Sequence, residues 1–457
     1  MRIRKRKKGR ALLPRFGPAS ILALGFIVVI LIGAVVLTLP FFSTSNEPTP
    51  FIDALFTATS ATCVTGLSTL NTAEHWNSYG DLVILILIEI GGLNFMMLPI
   101  VFFTILKKRI QLSTRIIIKE AFNLDQVSGV MSLALYVLKL AITIQTLGAL
   151  LLAIDFIPRY GVLKGLWYAL FHAVSSFCNA GFDLFGDSLV PFQNNPYVML
   201  VVSGLIISGG LGFIVWKDLN DFIKSRRRLS LHSKIALIMT TGLLIGGFVF
   251  FYFSEGNSQE PLTEPNKASR IINSLFLSVT ARTAGFASVD YAQLSHASIL
   301  MTIVLMYIGG TSGSTAGGLK TTTFGVLLIQ IISVLKGRPH AEFAGRRIKE
   351  SVVVKALMLF VITLMVCVIA MMILSVTEDL PEYMGSEYIA FEVISAFGTV
   401  GLTMGLTPIL SLPGKIVIIV LMFIGRVGIM TVLFSLLTKS QQKEIPIQFP
   451  KENVMIG

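Results

Sequence analysis

Charge is what this sequence has least of. Asp, Glu, Lys and Arg make up 14% of its 457 residues while 54% are apolar, against roughly 25% charged in soluble domains. With a mean hydropathy of +0.78 a soluble fold is excluded, and the chain reads as an integral membrane protein. Cysteine is scarce as well: Cys63, Cys178 and Cys367 are the three present, and their apolar surroundings and wide spacing exclude a disulfide framework or a zinc-type site. The five histidines, His75, His172, His232, His296 and His340, are scattered, so no metal cluster or catalytic triad emerges. A polytopic membrane enzyme would need clustered titratable groups near the interface, which are missing.

A net charge of +12 could suggest a nucleic-acid partner, but the positions of the cations exclude one. Of 37 Lys and Arg, 28 fall in segments 1–18, 107–119, 217–234, 336–355 and 439–457. The other polar segments lean acidic, with Glu255, Glu260, Glu264, Glu378, Asp379, Glu382 and Glu387. This positive-inside bias makes the basic face, with both termini, cytoplasmic in a plasma membrane. The N-terminal RIRKRKKGR precedes an apolar run to about Leu39 without a small-residue cleavage site, so it is read as a retained first span.

Runs long enough to cross a core of roughly 30 Å number eight: 19–39, 82–106, 131–154, 197–216, 235–253, 298–335, 352–375 and 414–438. Between the members of each pair stands one recurring pattern: FIDALFTATSATCVTGL, GLWYALFHAVSSFCNAGF, RIINSLFLSVTARTAGF and EYIAFEVISAFGTVGL. Gly66, Gly181, Gly285 and Gly401 anchor the copies, with Phe56, Phe171, Leu275 and Phe391 ten residues before and Leu67, Phe182, Phe286 and Leu402 one after. Such periodicity means a repeated architectural unit. The stretches before the glycines, 51–61, 165–176, 269–280 and 386–396, are too short or mixed to span and suit re-entrant half-helices.

Non-helical backbone at membrane depth must be buried in protein or line a wet cavity. Four such loops in one chain imply one cavity. Half-helices entering from outside would point the negative ends of their dipoles at the membrane centre. The glycines would take positive φ and aim carbonyls at the axis, a ring for a dehydrated cation. The expected fold is therefore all-α: four tandem units of helix, re-entrant pore helix and helix in pseudo-fourfold order around one pore. The units are 19–106, 131–216, 235–335 and 352–438, joined by cytoplasmic linkers 107–130, 217–234 and 336–351 and flanked by 1–18 and 439–457.

Behind the anchors follow IEIGGLNF, IISGGLGF, MYIGGTSGS and MFIGRVGI, where Gly91, Gly209, Gly309 and Gly425 allow close helix packing. In the third unit IGGTSGSTAGGLKTTTFG breaks the span, and such a glycine- and hydroxyl-rich stretch must unwind in a wet vestibule beneath the ring. It reads as a gate over 309–323, comprising Gly309, Gly310, Thr311, Ser312, Gly313, Ser314, Thr315, Ala316, Gly317, Gly318 and Lys320. A phosphate loop fits poorly, because Gly318 and Lys320 are one residue too far apart and no strand precedes. A plain cytoplasmic loop is disfavoured by flanks too short to span. In the fourth unit the glycine pair becomes Gly425-Arg426. A mid-helix arginine costs about 2.5 to 3.5 kcal/mol to insert, so Arg426 should face inward and either pin the gate or form a cationic barrier, the alternative being mere packing. Arg282 is expected to turn back onto its own loop, Glu89 and Glu392 to be hydrogen-bonded packing groups, and Asp53 to be a helix-end charge or cap.

These features together resemble the Ktr/Trk/HKT superfamily of cation transporters over nearly the whole chain: four M1-P-M2 units with one glycine each, the TSATCVTGL loop, the GGTSGSTAGGLKTTT insertion and the intramembrane arginine. Eight spans without an extra N-terminal hairpin resemble the membrane subunit of a bacterial Ktr potassium system. The resemblance implies a selectivity filter over 62–66, 177–181, 281–285 and 397–401. Its potassium ligands would be backbone oxygens of Val64, Thr65, Gly66, Asn179, Ala180, Gly181, Thr283, Ala284, Gly285, Thr399, Val400 and Gly401, flanked by Thr62, Cys63, Phe177, Cys178, Ala281, Arg282, Phe397 and Gly398. In this superfamily a serine at the first position accompanies sodium selectivity, so Gly66 favours potassium. The resemblance also implies a homodimer in membrane lipid, a cytoplasmic ring of RCK-type regulatory subunits binding ATP or ADP, no cofactor in this chain, and a C-terminal KENVMIG tail tucked into the dimer interface. A sodium-coupled potassium symporter is the alternative on the same scaffold.

Overall fold

The computed structural model describes residues 18–93, 130–255, 267–382, 384–429 and 431–432. The basic N-terminus up to residue 17, nearly all of the first linker and the tail from 439 onward lie outside the described residues. The first unit comprises helices α1 (Pro18–Thr38), α2 (Phe51–Cys63) and α3 (Ser78–Gly92). The second has α4 (Val130–Tyr160), α5 (Val162–Cys178) and α6 (Pro196–Gly210), continued by α7 (Phe213–Ser225). Helices α8 (Leu231–Ser254), α9 (Lys267–Thr280), α10 (His296–Tyr307) and α11 (Thr321–Leu335) make the third. The fourth is α12 (Glu350–Thr377), α13 (Ser386–Gly398) and α14 (Leu412–Val427).

The first helix of every unit is apolar enough and long enough to cross a membrane. The second helix of the third unit is interrupted where the sequence expects it, whereas those of the other three units differ from the expected continuous spans. Only 12 to 16 residues long, all four stop at or beside the glycine pairs. Apolar sequence on both sides hides the breaks of the first, second and fourth units from hydropathy, but glycine weakens the helix and lets a neighbour's backbone intrude. In the second unit the chain turns through 96° between α6 and α7, and α7 runs across the boundary expected between residues 216 and 217. Of the expected gate, Thr321 to Thr323 already belong to α11. The linker between α11 and α12 holds a hairpin, β1 (Glu342–Phe343) paired antiparallel with β2 (Arg346–Arg347), whose turn residues Ala344 and Gly345 have φ of 52° and 73°, as a tight hairpin requires.

Each second helix starts on a side-chain cap. Asn77, Asn195, Ser295 and Ser411 accept from backbone N–H groups of their own first turns, which satisfies donors the helix cannot. The same four residues fasten that end to the first helix of the unit or the segment just after it. Asn77 Nδ2 donates to Phe41 O at 2.7 Å, Asn195 Nδ2 to Asp155 at 2.9 Å, Ser295 Oγ to Glu255 at 2.6 Å and Ser411 N to Glu378 at 2.8 Å. Packing then links unit to unit. The second helix of each unit lies against the half-helix of the next, α3 on α5, α6 on α9, α10 on α13, and α14 back onto α2. The half-helices are buried over their C-terminal halves, with Phe56, Phe171, Phe276 and Phe391 all 0% exposed.

Candidate functional site

Three of the half-helices end in the same way. Val64 N–H donates to Ala61 O and Thr65 N–H to Ser60 O, at 3.1 and 2.8 Å, and the pair recurs as Asn179 to Ser176 with Ala180 to Ser175, and Thr399 to Ala396 with Val400 to Ser395. This Schellman closure requires a left-handed residue straight after the helix. The residues held there are Val64 (φ 58°), Asn179 (φ 61°) and Thr399 (φ 48°), while in the third copy Thr283 (φ 66°) takes the equivalent place. Three of the four are β-branched, for which this conformation costs on the order of 1 to 3 kcal/mol and persists only where the surroundings enforce it. The motif was unreadable from sequence because nothing but Asn179 favours it.

The glycines two residues later also take positive φ, 98° at Gly66, 70° at Gly181, 80° at Gly285 and 95° at Gly401. They meet in cyclic order. A Cβ on Gly66 would lie 2.6 Å from Ala180 O, one on Gly181 2.9 Å from Ala284 O, one on Gly285 2.3 Å from Val400 O, and one on Gly401 2.0 Å from Thr65 O. Each glycine thus faces the carbonyl of the residue before the next glycine, and the fourth returns to the first. No side chain fits anywhere in the ring. Ser60 and Ser395 brace it by accepting from Gly66 N–H and Gly401 N–H at 3.0 and 3.1 Å. Thr62, Thr65, Thr283 and Thr399 hydroxyls and the Asn179 Nδ2 amide are buried without a protein partner. Polar groups without partners usually have water or an ion to complete them.

The second helices come up to the ring from behind. A Cβ on Gly91, Gly209 or Gly425 would fall 1.9, 1.8 or 2.0 Å from the carbonyl oxygen of Thr62, Phe177 or Phe397, so these glycines are obligatory where helix meets half-helix. In the third unit that contact is replaced: Gly309 lies against Gly317 of its own loop.

That loop, 308–320, sits against the ring on the side of the broken helices. Gly317 abuts Thr399, where a Cβ would come within 2.1 Å of Oγ1, and Gly318 abuts Gly398 at 3.1 Å. Thr315 Oγ1 donates to Phe177 O at 3.2 Å. Leu319 O accepts from Gly309 N–H at 2.8 Å, and Thr321 N–H donates to Gly310 O at 3.0 Å, so the loop is closed on itself. Ser314 Oγ donates to Thr311 O at 2.6 Å, and Lys320 Nζ folds back to Ala316 O at 2.6 Å. Arg426 then joins three parts: its guanidinium donates to Thr315 O, to Gly91 O and, at 3.0 Å, to Gly92 O. A cavity of about 580 Å³ opens beneath, lined by Ser312, Lys320, Thr323, Lys355, Arg426 and Gly428 among others.

Arg282 differs from expectation. Instead of its own loop it reaches Thr321 Oγ1 at 3.1 Å and Thr240 O at 3.5 Å, because its place three residues before Gly285 directs it down the seam beside the loop. Cys63, Cys178 and Gly398 hold the same register. Glu89 accepts from Gln145 at 2.8 Å, and Glu392 from Thr403 at 2.8 Å and from Thr407, so both are satisfied packing groups. Asp53 is a charge in the first turn of α2 and not its cap; it accepts from Thr69 and from Lys415 Nζ, at 2.8 and 2.7 Å. Lys415 had no signal in sequence, since its partner is 362 positions away.

A model of the TrkH family, described as cation transport protein, matches residues 18–445. The potassium/sodium uptake protein NtpJ of Enterococcus hirae is 59% identical over 97% of this chain and 98% of its own, and the Ktr system potassium uptake protein B of Bacillus subtilis is 42% identical over 97% of each. The potassium transporter TrkH from Vibrio parahaemolyticus shares the fold, with a TM-score of 0.73 over 94% of this chain and 86% of that one at 17% identity. With its apolar crossing helices and a family match over nearly its whole length, the chain is a membrane protein that belongs to the TrkH family of cation transport proteins.

Proposed function

We propose that this protein is the ion-translocating subunit of a potassium uptake system of Ktr type, passing K+ into the cell through a filter of main-chain oxygens. In this reading eight spans form a pseudo-fourfold pore with both termini cytoplasmic, and K+ is cargo, not a resident cofactor. The observation that carries it is the ring in which Gly66, Gly181, Gly285 and Gly401 each face the next loop's carbonyl. Carbonyls held in such a ring would replace the hydration shell of a monovalent cation, and glycine is needed because a Cβ would strike the next loop's carbonyl. Residues 309–323 with Arg426 act as the gate. The membrane potential drives entry by about 2.3 kcal/mol per charge per 100 mV. A homodimer and a cytoplasmic nucleotide-binding ring complete the system, in line with the word "system" in the name of the Bacillus subtilis relative.

A second reading is sodium-coupled potassium symport, favoured by the potassium/sodium name of the 59% identical relative. Tracer rubidium uptake into proteoliposomes, with voltage and sodium gradient set separately, tests both. Uptake that follows voltage without sodium supports the channel-like reading, and uptake that vanishes at fixed voltage without sodium supports coupling. Gly181→Val or Gly285→Val with normal expression and unchanged uptake would overturn the filter.

A further inference from the structure

The loop is fastened to one further element, the elbow between α6 and α7. Thr311 N–H and Thr315 N–H donate to Gly210 O and Gly209 O at 3.0 and 3.3 Å, and Phe213 N–H donates to Gly313 O at 2.9 Å. A Cβ on Gly212 would stand 3.0 Å from Ser312 O and 3.4 Å from the Thr311 Cβ, so the elbow and the loop are in close contact. On its inner side α7 is locked. Leu211 and Val215 pack with Ala236, Trp216 Nε1 donates across the bend to Ser208 O at 2.8 Å, and the Tyr136 hydroxyl donates to Trp216 O at 3.2 Å. Asp218 accepts from Ser230 and Ser233 at the head of α8.

The far end of α7 has a different character. Phe222 and Ile223 are 48% and 76% exposed, and Lys224, Arg226, Arg227 and Arg228 follow, all exposed and without an ion-pair partner among the described residues. Among the described residues of α7 the acid not occupied by a serine is Asp221, which lies half-buried on the helix. The fifteen residues of α6 rise about 22 Å, which places the 96° bend toward the inner edge of a core roughly 30 Å thick. Asp218 holds α7 level with the first turn of α8. A helix lying across the inner boundary with exposed apolar side chains next to four cations has the chemistry of attachment to anionic lipid.

We propose that α7 docks on anionic phospholipid of the cytoplasmic leaflet, and that this contact, carried by the 209–213 elbow, draws the loop off the ring and raises ion flux. The proposal rests on the loop being the gate. Headgroups bind the guanidinium groups of Arg226 to Arg228, Phe222 and Ile223 enter the acyl boundary, and the pull reaches Thr311, Gly313 and Thr315 through backbone hydrogen bonds.

The test uses the full-length protein in phosphatidylcholine vesicles with increasing phosphatidylglycerol. Rubidium flux should rise about fivefold from neutral vesicles to roughly 30 mol% anionic lipid. The triple variant Arg226→Gln/Arg227→Gln/Arg228→Gln should respond less than about twofold, whereas Arg346→Gln/Arg347→Gln in the hairpin, which also removes basic charge, should respond like the wild type. In a Trp76→Phe/Trp167→Phe background, fluorescence of Trp216 should be quenched more by brominated phosphatidylglycerol than by brominated phosphatidylcholine, and the triple variant should lose that preference. An unchanged lipid response in the triple variant, an equal loss of flux in neutral vesicles, or stimulation by soluble glycerol phosphate overturns the docking. Arg426→Ala in the same vesicles separates the two ideas: unchanged flux there removes the gate while quenching still reports docking, and raised flux there with a lipid-responsive triple variant removes the docking alone.

Discussion

If the loop is the gate proposed above, removing the Arg426 side chain should open the pore. Its guanidinium is the clasp between the loop, at Thr315 O, and the end of α3, at Gly91 O and Gly92 O. A hydrogen bond from a charged donor contributes about 1.5 to 3 kcal/mol. In Arg426→Ala the loop loses one such bond while keeping those to Gly209, Gly210 and Phe213, so its displaced state gains roughly tenfold to a hundredfold in population. Rubidium flux into vesicles should rise about tenfold where the resting loop is mostly closed. Arg426→Lys sorts clasp from barrier. Lysine keeps the charge but cannot bridge three carbonyls in a fixed fork, so a clasp predicts flux between wild type and Arg426→Ala, and a barrier predicts wild-type flux. Well-folded Arg426→Ala protein with unchanged or lower flux would refute the reasoning.

Other outcomes follow from the same packing. Gly425→Ala places a methyl 2.0 Å from Phe397 O and should lower stability by about 1 to 3 kcal/mol or more, whereas Gly242→Ala, with nothing within 4 Å, should raise it by up to about 1 kcal/mol; thermal unfolding in detergent compares them. Lys415→Met leaves the Asp53 carboxylate with Thr69 alone and should cost about 2 kcal/mol, less than a fully buried pair, with Asp53→Asn/Lys415→Met recovering part of the loss in a double-mutant cycle. Glu378→Ala removes the acceptor of Ser411 N–H and Oγ and should lower the unfolding temperature, at a cost of about 1 kcal/mol.

The repeat was legible because each copy keeps a glycine and its flanking apolar residues in register, and backbone that lipid cannot solvate must converge on a shared cavity. Arg426 was legible because a charge at that depth needs partners. What stayed hidden depended on contacts between distant segments. Val64, Thr283 and Thr399 favour extended backbone, yet the hydrogen bonds closing the half-helix ends and complete burial impose φ of 58°, 66° and 48°. The bend after Gly210 was masked because Leu211, Phe213 and Val215 prolong an apolar run, although WKDLNDFIKS beyond them is amphipathic enough to have marked α7. Arg282 was misdirected for a simple reason: neighbours in sequence were taken for its acceptors, while Thr240 and Thr321, on other helices, stand closer.

The asymmetry of the site is concentrated at one register. Three residues before the anchoring glycines stand Cys63, Cys178, Arg282 and Gly398, residues of unequal size at one position of the repeat. The loop enters where that side chain is missing: Gly318 abuts the Gly398 Cα, and a Cβ on Gly398 would itself meet Met306 O at 2.6 Å and Val400 Cγ2 at 2.9 Å. Gly318→Ala, whose methyl would stand 3.1 Å from the Gly398 Cα, should therefore crowd the closed loop and raise basal flux, by an amount set by how much of about 1 to 3 kcal/mol of overpacking the loop relieves by leaving. Cys63→Ala and Cys178→Ala remove volume at sites that the loop does not occupy and should leave the gate closed. If all three substitutions changed flux alike, the position of the loop would owe nothing to Gly398, and the fourth copy would not be specialised to receive it.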